Sequence, residues 1–414
     1  MRWIAAALVA VGLVPAMALG APIELHHGVG LHQWLNWSPL AADGSYRWPP
    51  YRSEEEWLSQ DRPLSDWPGG NELKRLHGLG FDFVRLTVDP GPLLANEGAR
   101  RQEALQVLAD AVRKVTDAGL KVVFNLHSVS QVPDYGMDVV NSAAGSDAIA
   151  HYEQMTADVA AMLVPLGIDK VAFEPFNEPA HYPCDASGDG EWQKIMAATV
   201  KTIRVVSSEL TLVATGACGG SITGLTDLKP DFDDPNLLYS FHMYEPHSFT
   251  HQRSETDGGF ASGLPWPASA GSKEAVIESL RAHMTAAGVS EVEQTMTVTA
   301  LEGAIDDYFA KGWGAEQMTA RVGEAVDWAK ASNIPPTRLF MGEFGAILMS
   351  ADGRMGAFDA DRLRYLSALR QLAEANGIPW SIWEYANPYG MSVIVPDGPA
   401  VPDTKLLEAL GLNQ

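Results

Sequence analysis

Eight short, β-prone apolar runs recur along this chain, and longer amphipathic stretches separate them. The runs are Leu25–Leu31, Phe81–Val88, Leu120–Leu126, Val171–Phe176, Leu210–Thr215, Leu237–Met243, Arg338–Gly342 and Trp380–Trp383. Helical periodicity fills Gly70–Leu79, Arg100–Ala118, Asp147–Leu166, Trp192–Ser208, Ala315–Ser332, Asp359–Asn376 and Thr404–Leu410, with apolar positions such as Leu105, Leu108, Ala109 and Val112 on one face. Gly119 and Gly377 each stop a helical pattern just before an apolar strand pattern begins. Eight strands alternating with helices predict a parallel sheet closed as a (β/α)8 barrel, the TIM barrel. An open doubly wound sheet would need a Gly-rich phosphate turn after its first strand, and Gly28-Val29-Gly30-Leu31-His32-Gln33 is not one.

The alternation breaks once. Between the sixth run and the helix before the seventh lies Glu245–Gly314, rich in Gly, Pro and Ser at first and helical at Ser272–Ala287 and Glu302–Lys311. It reads as a large insertion after strand six, on the face where such barrels carry their sites. Residues 1–20 are a separate object: Arg2, an apolar run from Trp3 to Val14, then small residues offering cleavage patterns at Ala16-Met17-Ala18 and Ala18-Leu19-Gly20. This predicts a secretory signal peptide, with residues 21–414 forming a single catalytic domain that is exported to the periplasm or beyond the cell. The apolar run is too short to span a bilayer, so no membrane span is expected in the mature form, and a monomer is expected. Cys184 and Cys218 are the only cysteines, and in an oxidising compartment, on neighbouring loops, they are expected to pair.

A net charge of −23 repels phosphate backbones and anionic membranes, which excludes nucleic acid as a partner but not a neutral polymer. In the predicted barrel, polar residues from distant parts of the chain meet at the carboxyl ends of the strands: Arg85, Asn125, His127, Asn177, Glu178, His242, Tyr244, Glu343, Trp383 and Glu384. Two carboxylates across one cavity suit glycoside hydrolysis, where one must be protonated to assist the leaving oxygen and the other ionised to attack. A positive neighbour keeps a carboxylate ionised, whereas burial raises its pKa. On that logic Glu343, beside Arg85 and Tyr244, is the nucleophile, and Glu178, beside His242, is the acid/base. Glu174 is expected to face into the barrel on the side shared by Phe176 and Glu178, as a buried partner for Arg85. Trp34 and Trp37 in the first loop are candidates for stacking on sugar, and Glu384 reads as structural.

The run Phe173-Glu174-Pro175-Phe176-Asn177-Glu178-Pro179 resembles the strand-four signature of glycoside hydrolase family 5, the family of many cellulases, and Gly342-Glu343-Phe344-Gly345 resembles its strand-seven motif. Val84-Arg85-Leu86, Asn125-Leu126-His127, His242-Met243-Tyr244 and Trp380–Trp383 follow in the family's order. The resemblance implies a retaining mechanism without cofactor or metal, acting on a polysaccharide or oligosaccharide, with Glu178 as acid/base and Glu343 as nucleophile. It implies that Asn177 bonds the sugar 2-hydroxyl, that Arg85 and Tyr244 hold the nucleophile, that His127 and His242 line the sugar subsite, and that Trp383 forms its floor. An endo-β-1,4-glucanase is the leading expectation. β-Mannanase and β-1,3-glucanase share the fold, and a barrel that binds polysaccharide without cutting it is the rival of another class. Other chemistries fit poorly: adjacent His26 and His27 point to opposite faces of a strand and cannot supply the paired ligands of a barrel metallohydrolase, and no Gly-x-Ser-x-Gly occurs.

Overall fold

The computed structural model describes residues 20–68, 70–185, 187–188, 190–253, 262–348, 355–387, 390–396 and 398–412. Apart from Gly20, the leader expected over 1–20 lies outside them. Eight parallel strands close into a barrel in chain order: β1 His27–Leu35, β2 Phe83–Val88, β3 Lys121–Leu126, β4 Val171–Glu174, β5 Thr211–Thr215, β6 Leu237–Met243, β7 Leu339–Phe344 and β8 Trp380–Ile382. The first strand starts two residues later than its apolar run suggests and runs on to Leu35.

The helices Gly98–Asp117, Asp147–Leu163, Glu191–Val206, Ala315–Ala331 and Asp359–Ala375 alternate with the strands. The outer faces of the strands and the inner faces of these helices form one continuous apolar layer, in which Leu86, Phe124, Phe173 and Leu212 meet Leu108, Val159 and Ile203. Several short helices and one helix boundary were not anticipated. A short helix, Ile222–Asp227, lies between β5 and β6, and the helix expected at Glu302–Lys311 begins eleven residues earlier, at Glu291, where Ser290 and Glu293 form a capping box. The helices Lys273–Ala286 and Glu291–Lys311 pack mainly on one another, outside the strand and helix alternation.

Inside the barrel, the two-residue period of the strands builds layers. Leu25, Phe83, Val123, Ala172, Val213, Leu238 and Phe340 form a separate apolar plug. Two residues further along five of those strands stand Arg85, Asn125, Glu174, Thr215 and Ser240, all fully buried. One step towards the mouth therefore exchanges an apolar floor for a polar layer. The alternation expected to carry Phe176 inward with Glu174 fails because β4 ends at Glu174. Phe176 instead packs outward between Tyr152 and Trp192, with ring centroids at 5.0 and 4.8 Å.

Gly28 shows how tight the plug is: a Cβ there would stand 2.2 Å from the Phe83 ring. Gly28→Ala is expected to destabilise the fold by about 1–3 kcal/mol through overpacking. Urea denaturation checks this, and an unchanged midpoint would contradict it.

Candidate active site

The polar layer is organised by one cation. Arg85 on β2 is fully buried, and each nitrogen of its guanidinium has its own partner: Nε donates to Glu174 Oε2 at 2.6 Å, Nη1 to Glu343 Oε1 at 2.6 Å, and Nη2 to Asn177 Oδ1 at 2.7 Å. Burial alone would favour losing the proton, but the Glu174 and Glu343 charges outweigh it and hold Arg85 as a cation. The Thr215 hydroxyl lies 3.4 Å from Glu174 Oε1 at the edge of this network and donates to the Phe176 carbonyl at 3.0 Å. Asn177 Nδ2 lies 3.3 Å from His127 Nε2, whose Nδ1 is in turn 3.2 Å from Asn125 Oδ1.

Glu343 ends β7 beside His242 of β6, which the strand register pairs with it. The Tyr244 hydroxyl donates to Glu343 Oε2 at 2.8 Å, and burial together with the Glu343 charge keeps that hydroxyl protonated. The Glu343 pKa is raised by burial, against the opposing pull of His242, Arg85 and the Tyr244 hydroxyl. Glu178 has no contact with the guanidinium. Its Oε1 lies 2.6 Å from His242 Nδ1, and burial lifts its pKa to about 7 against the Arg85 and His247 charges. Part of the Glu178 side chain nevertheless faces the open cleft. Burial lowers the pKa of His242, against the opposing pull of the Glu343 and Glu174 charges. Of the three carboxyl groups Glu174, Glu178 and Glu343, Glu178 is the one that does not hydrogen-bond to the Arg85 guanidinium.

One oxygen of Glu178, one nitrogen of His242 and one oxygen of Glu343 all lie within 4.8 Å of one another. This is the only set with metal-binding spacing among the described residues. Its atoms are already engaged with each other, with Arg85 and with Tyr244, so the guanidinium supplies the compensating charge.

The cleft above these groups has a volume of about 770 Å³ and is lined by His127, Glu178, His242, Tyr244, Glu343 and Trp383, among others. Trp383 stacks on His127 with centroids 5.7 Å apart and planes 13° from parallel. His32, singled out by no sequence motif, packs against both at 4.6 and 4.9 Å. Trp34 requires correction as a sugar-binding candidate. It is buried and stacks on Trp57 at 5.4 Å, because on β1 its side chain turns to the helix layer. The exposed indole of that loop is Trp37, whose Nε1 donates to His32 Nε2 at 3.0 Å. His247 and His251, stacked at 3.8 Å, also line the cleft, so the stretch expected to begin an insertion at Glu245 first contributes to the wall. Their four-residue spacing within His247-Ser248-Phe249-Thr250-His251 was the available signal. Glu384 is buried beneath the site and accepts from Asn387 Nδ2 at 2.9 Å.

A closed parallel barrel with two carboxyl groups facing each other across its mouth defines the class: a (β/α)8 barrel with a paired-acid site. Residues 70–388 match the family described as Cellulase (glycosyl hydrolase family 5), and the chain belongs to that family. Endoglucanase 3 of Fibrobacter succinogenes is 26% identical over 357 residues, 83% of this chain and 48% of that protein. Cellodextrinase A of Ruminococcus flavefaciens is 25% identical over 47% of this chain and 58% of its own length. The chain thus spans about half the length of these relatives. Among solved structures, Cel5A of Thermotoga maritima superposes with a TM-score of 0.63 at 18% identity, covering 93% of this chain and 97% of that one. The cellulose synthase subunit Z of Clostridioides difficile gives 0.61 at 19%, covering 94% and 99%. At these identities the structural likenesses speak for the fold.

Cys184, after β4, and Cys218, after β5, form a disulfide that closes a loop of 34 residues on the cleft side of the barrel. Chain-entropy arguments put its worth at about 2–4 kcal/mol. Replacing both cysteines with serine is expected to lower the unfolding free energy by that amount. Chemical denaturation of the double variant measures it, and coincident curves would contradict the prediction.

Proposed function

We propose that this chain is an exported endo-β-1,4-glucanase working by a retaining double displacement, with Glu343 as nucleophile and Glu178 as acid/base. The observation that carries the reading is the approach of Glu178 and Glu343 oxygens to within 4.8 Å. Retaining glycosidases hold their carboxyl groups about 5–5.5 Å apart, whereas inverting ones leave about 6.5–9.5 Å for a water. In the first step an ionised Glu343 oxygen attacks the anomeric carbon while Glu178 passes its proton to the leaving oxygen. In the second, Glu178 takes a proton from water, and that water displaces Glu343 from the sugar.

The surrounding residues support each role. Arg85 and Tyr244 hold both oxygens of Glu343 and keep its charge available. Asn177, held by Arg85, is the residue assigned to bond the sugar 2-hydroxyl, a contact expected to strengthen in the transition state. His127 and Trp383, both lining the cleft, offer a stacked pair of rings for the sugar. The relatives named endoglucanase and cellodextrinase favour a β-1,4-glucan over mannan or β-1,3-glucan. Export is supported by the leader pattern of residues 1–20 and by a disulfide suited to an oxidising compartment. Among the described residues, no helix is long and apolar enough to cross a membrane.

Glu343→Gln is expected to lower kcat on soluble β-glucan by roughly 10³-fold or more with an unchanged melting temperature. A variant that folds normally and retains its turnover would refute the nucleophile assignment. A panel of carboxymethylcellulose, β-mannan and β-1,3-glucan, with product lengths read out, tests both substrate and mode of cleavage; absence of reducing sugar from all three would favour the binding-protein reading. The raised pKa of Glu178 gives a sign to the pH dependence. The acid works only when protonated, so kcat/KM is expected to fall as pH rises through about 7. A pH–rate profile flat up to 9 would count against Glu178 as the acid.

A further inference from the structure

The proposed acid is not held by the barrel ladder. β4 ends at Glu174, and Glu178 lies beyond it, on a stretch without regular structure that runs to Cys184. On one side, the Ala180 amide of this stretch donates to Asn141 Oδ1 at 2.9 Å. On the other, the tie is covalent: Cys184 is bonded to Cys218, in the turn that follows β5. The Gly219 amide of that turn donates to the Pro179 carbonyl at 3.0 Å, so the turn also grips the residue next to the acid.

The turn closes over the acid and its partner. A Cβ at Gly220 would stand 3.4 Å from Glu178 Cγ, 3.5 Å from His242 Nδ1 and 3.3 Å from the Asn177 carbonyl oxygen. Ser221, the next residue, forms a parallel bridge with His242. The turn therefore touches both ends of the Glu178–His242 hydrogen bond. Its backbone is unusual: Cys218, Gly219 and Gly220 have φ of 53°, 67° and 65°. Glycine enters that region freely, but a residue with a Cβ does so at a cost and needs its surroundings to impose it. At Cys218 those surroundings include the bond to the loop that carries the acid.

The turn acts on Glu178 by excluding water, not by charge. Gly216-Ala217-Cys218-Gly219-Gly220-Ser221 has no ionisable side chain once the cysteines are joined. The titratable and charged groups around Glu178 come from elsewhere: Arg85 on β2, His242 on β6, Tyr244 and His247 after β6, and Glu343 on β7. Burial is the largest influence on Glu178. Cys218 is half-buried and lines the cleft, so a small thiol can reach the disulfide while the barrel stays folded.

We propose that the Cys184–Cys218 disulfide is a positioning element for the acid: it holds the turn against Glu178, and opening it slows proton donation to the leaving oxygen while the nucleophile stays in place. This rests on the hydrolase reading above. Glu343 is held by Arg85 and Tyr244, through bonds in which neither cysteine loop takes part. Turnover is therefore coupled to the thiol–disulfide state of the chain. Reduction by a dithiol breaks the S–S bond and leaves two cysteine thiols, while the dithiol gives up two electrons and two protons and closes to a cyclic disulfide.

The test compares the oxidised protein with the same protein reduced by dithiothreitol, and with the Cys184→Ser/Cys218→Ser double variant, well below their melting transitions and with circular dichroism confirming the fold. Cellotetraose needs a proton on its leaving oxygen, whereas 2,4-dinitrophenyl β-cellobioside releases a phenolate that departs without one. Opening the disulfide is expected to lower the ratio of kcat/KM on the tetraose to that on the aryl substrate roughly tenfold, part of the about 10²–10⁴-fold that a general acid supplies. The alkaline limb of the tetraose pH profile is expected to move to lower pH, because water admitted to a buried carboxyl lowers its pKa. Reoxidation of the reduced protein is expected to restore both. An unchanged ratio, equal losses on both substrates or an unmoved limb would overturn the positioning role, since those are the results of a crosslink that only stabilises. Inactivity of the oxidised protein on both substrates would instead bring down the hydrolase reading, and this proposal with it.

Discussion

The site depends on a single buried guanidinium. Arg85 stands in a layer otherwise made of neutral or acidic groups, immediately above an apolar plug, and its cost of burial is offset by two carboxylates and an amide at hydrogen-bonding distance. Removing either acid would leave an uncompensated charge in a dry interior, which is among the more damaging changes a core can suffer. The same three bonds align the chemistry. They fix one oxygen of Glu343, orient Asn177, and use Glu174 as a permanent counter-charge, so that Glu343 can carry its negative charge without losing its place.

Around that cation the two acids differ because their surroundings differ. Glu343 is enclosed and tied to a cation and a hydroxyl. Glu178 meets only an imidazole whose own charge is disfavoured by burial, and its pKa climbs to about 7. Two chemically identical side chains thus acquire different surroundings from hydrogen-bond partners on β2, β6 and the loop after β6, which suits them to the opposite duties of the proposed mechanism. The tertiary turn at Cys218–Gly220 adds a further constraint by pressing backbone, not side chain, against Glu178.

Much of this was legible in the chain. Eight apolar runs with helical stretches between them implied the barrel, and residues at the ends of those runs implied which polar groups meet. The Arg85, Glu174 and Glu343 contacts follow from strand periodicity once the barrel is assumed. The misreadings share a physical cause. Both come from misplacing a strand end: Trp34 was assigned to the loop after the first strand, and Phe176 was given the barrel face by carrying alternation past the fourth. Phe176 lies beyond the end of β4, and Trp34 stands near the end of β1, past a register irregularity between Leu31 and Leu35. His247 and Tyr182 carried no local pattern strong enough to mark them as cleft residues, nor did His32 as a neighbour of His127 and Trp383.

The order of residues alone determined the class of fold and marked Glu178 and Glu343 as the candidate acids, because side-chain periodicity and the chemistry of carboxylates are local properties. Only the tertiary structure decided how close those acids come and which aromatic rings face the cleft. These depend on how eight strands tilt and close, and on where loops land after the strands end. Such distances between groups more than a hundred residues apart are set by packing of the whole barrel, which no short stretch of sequence contains.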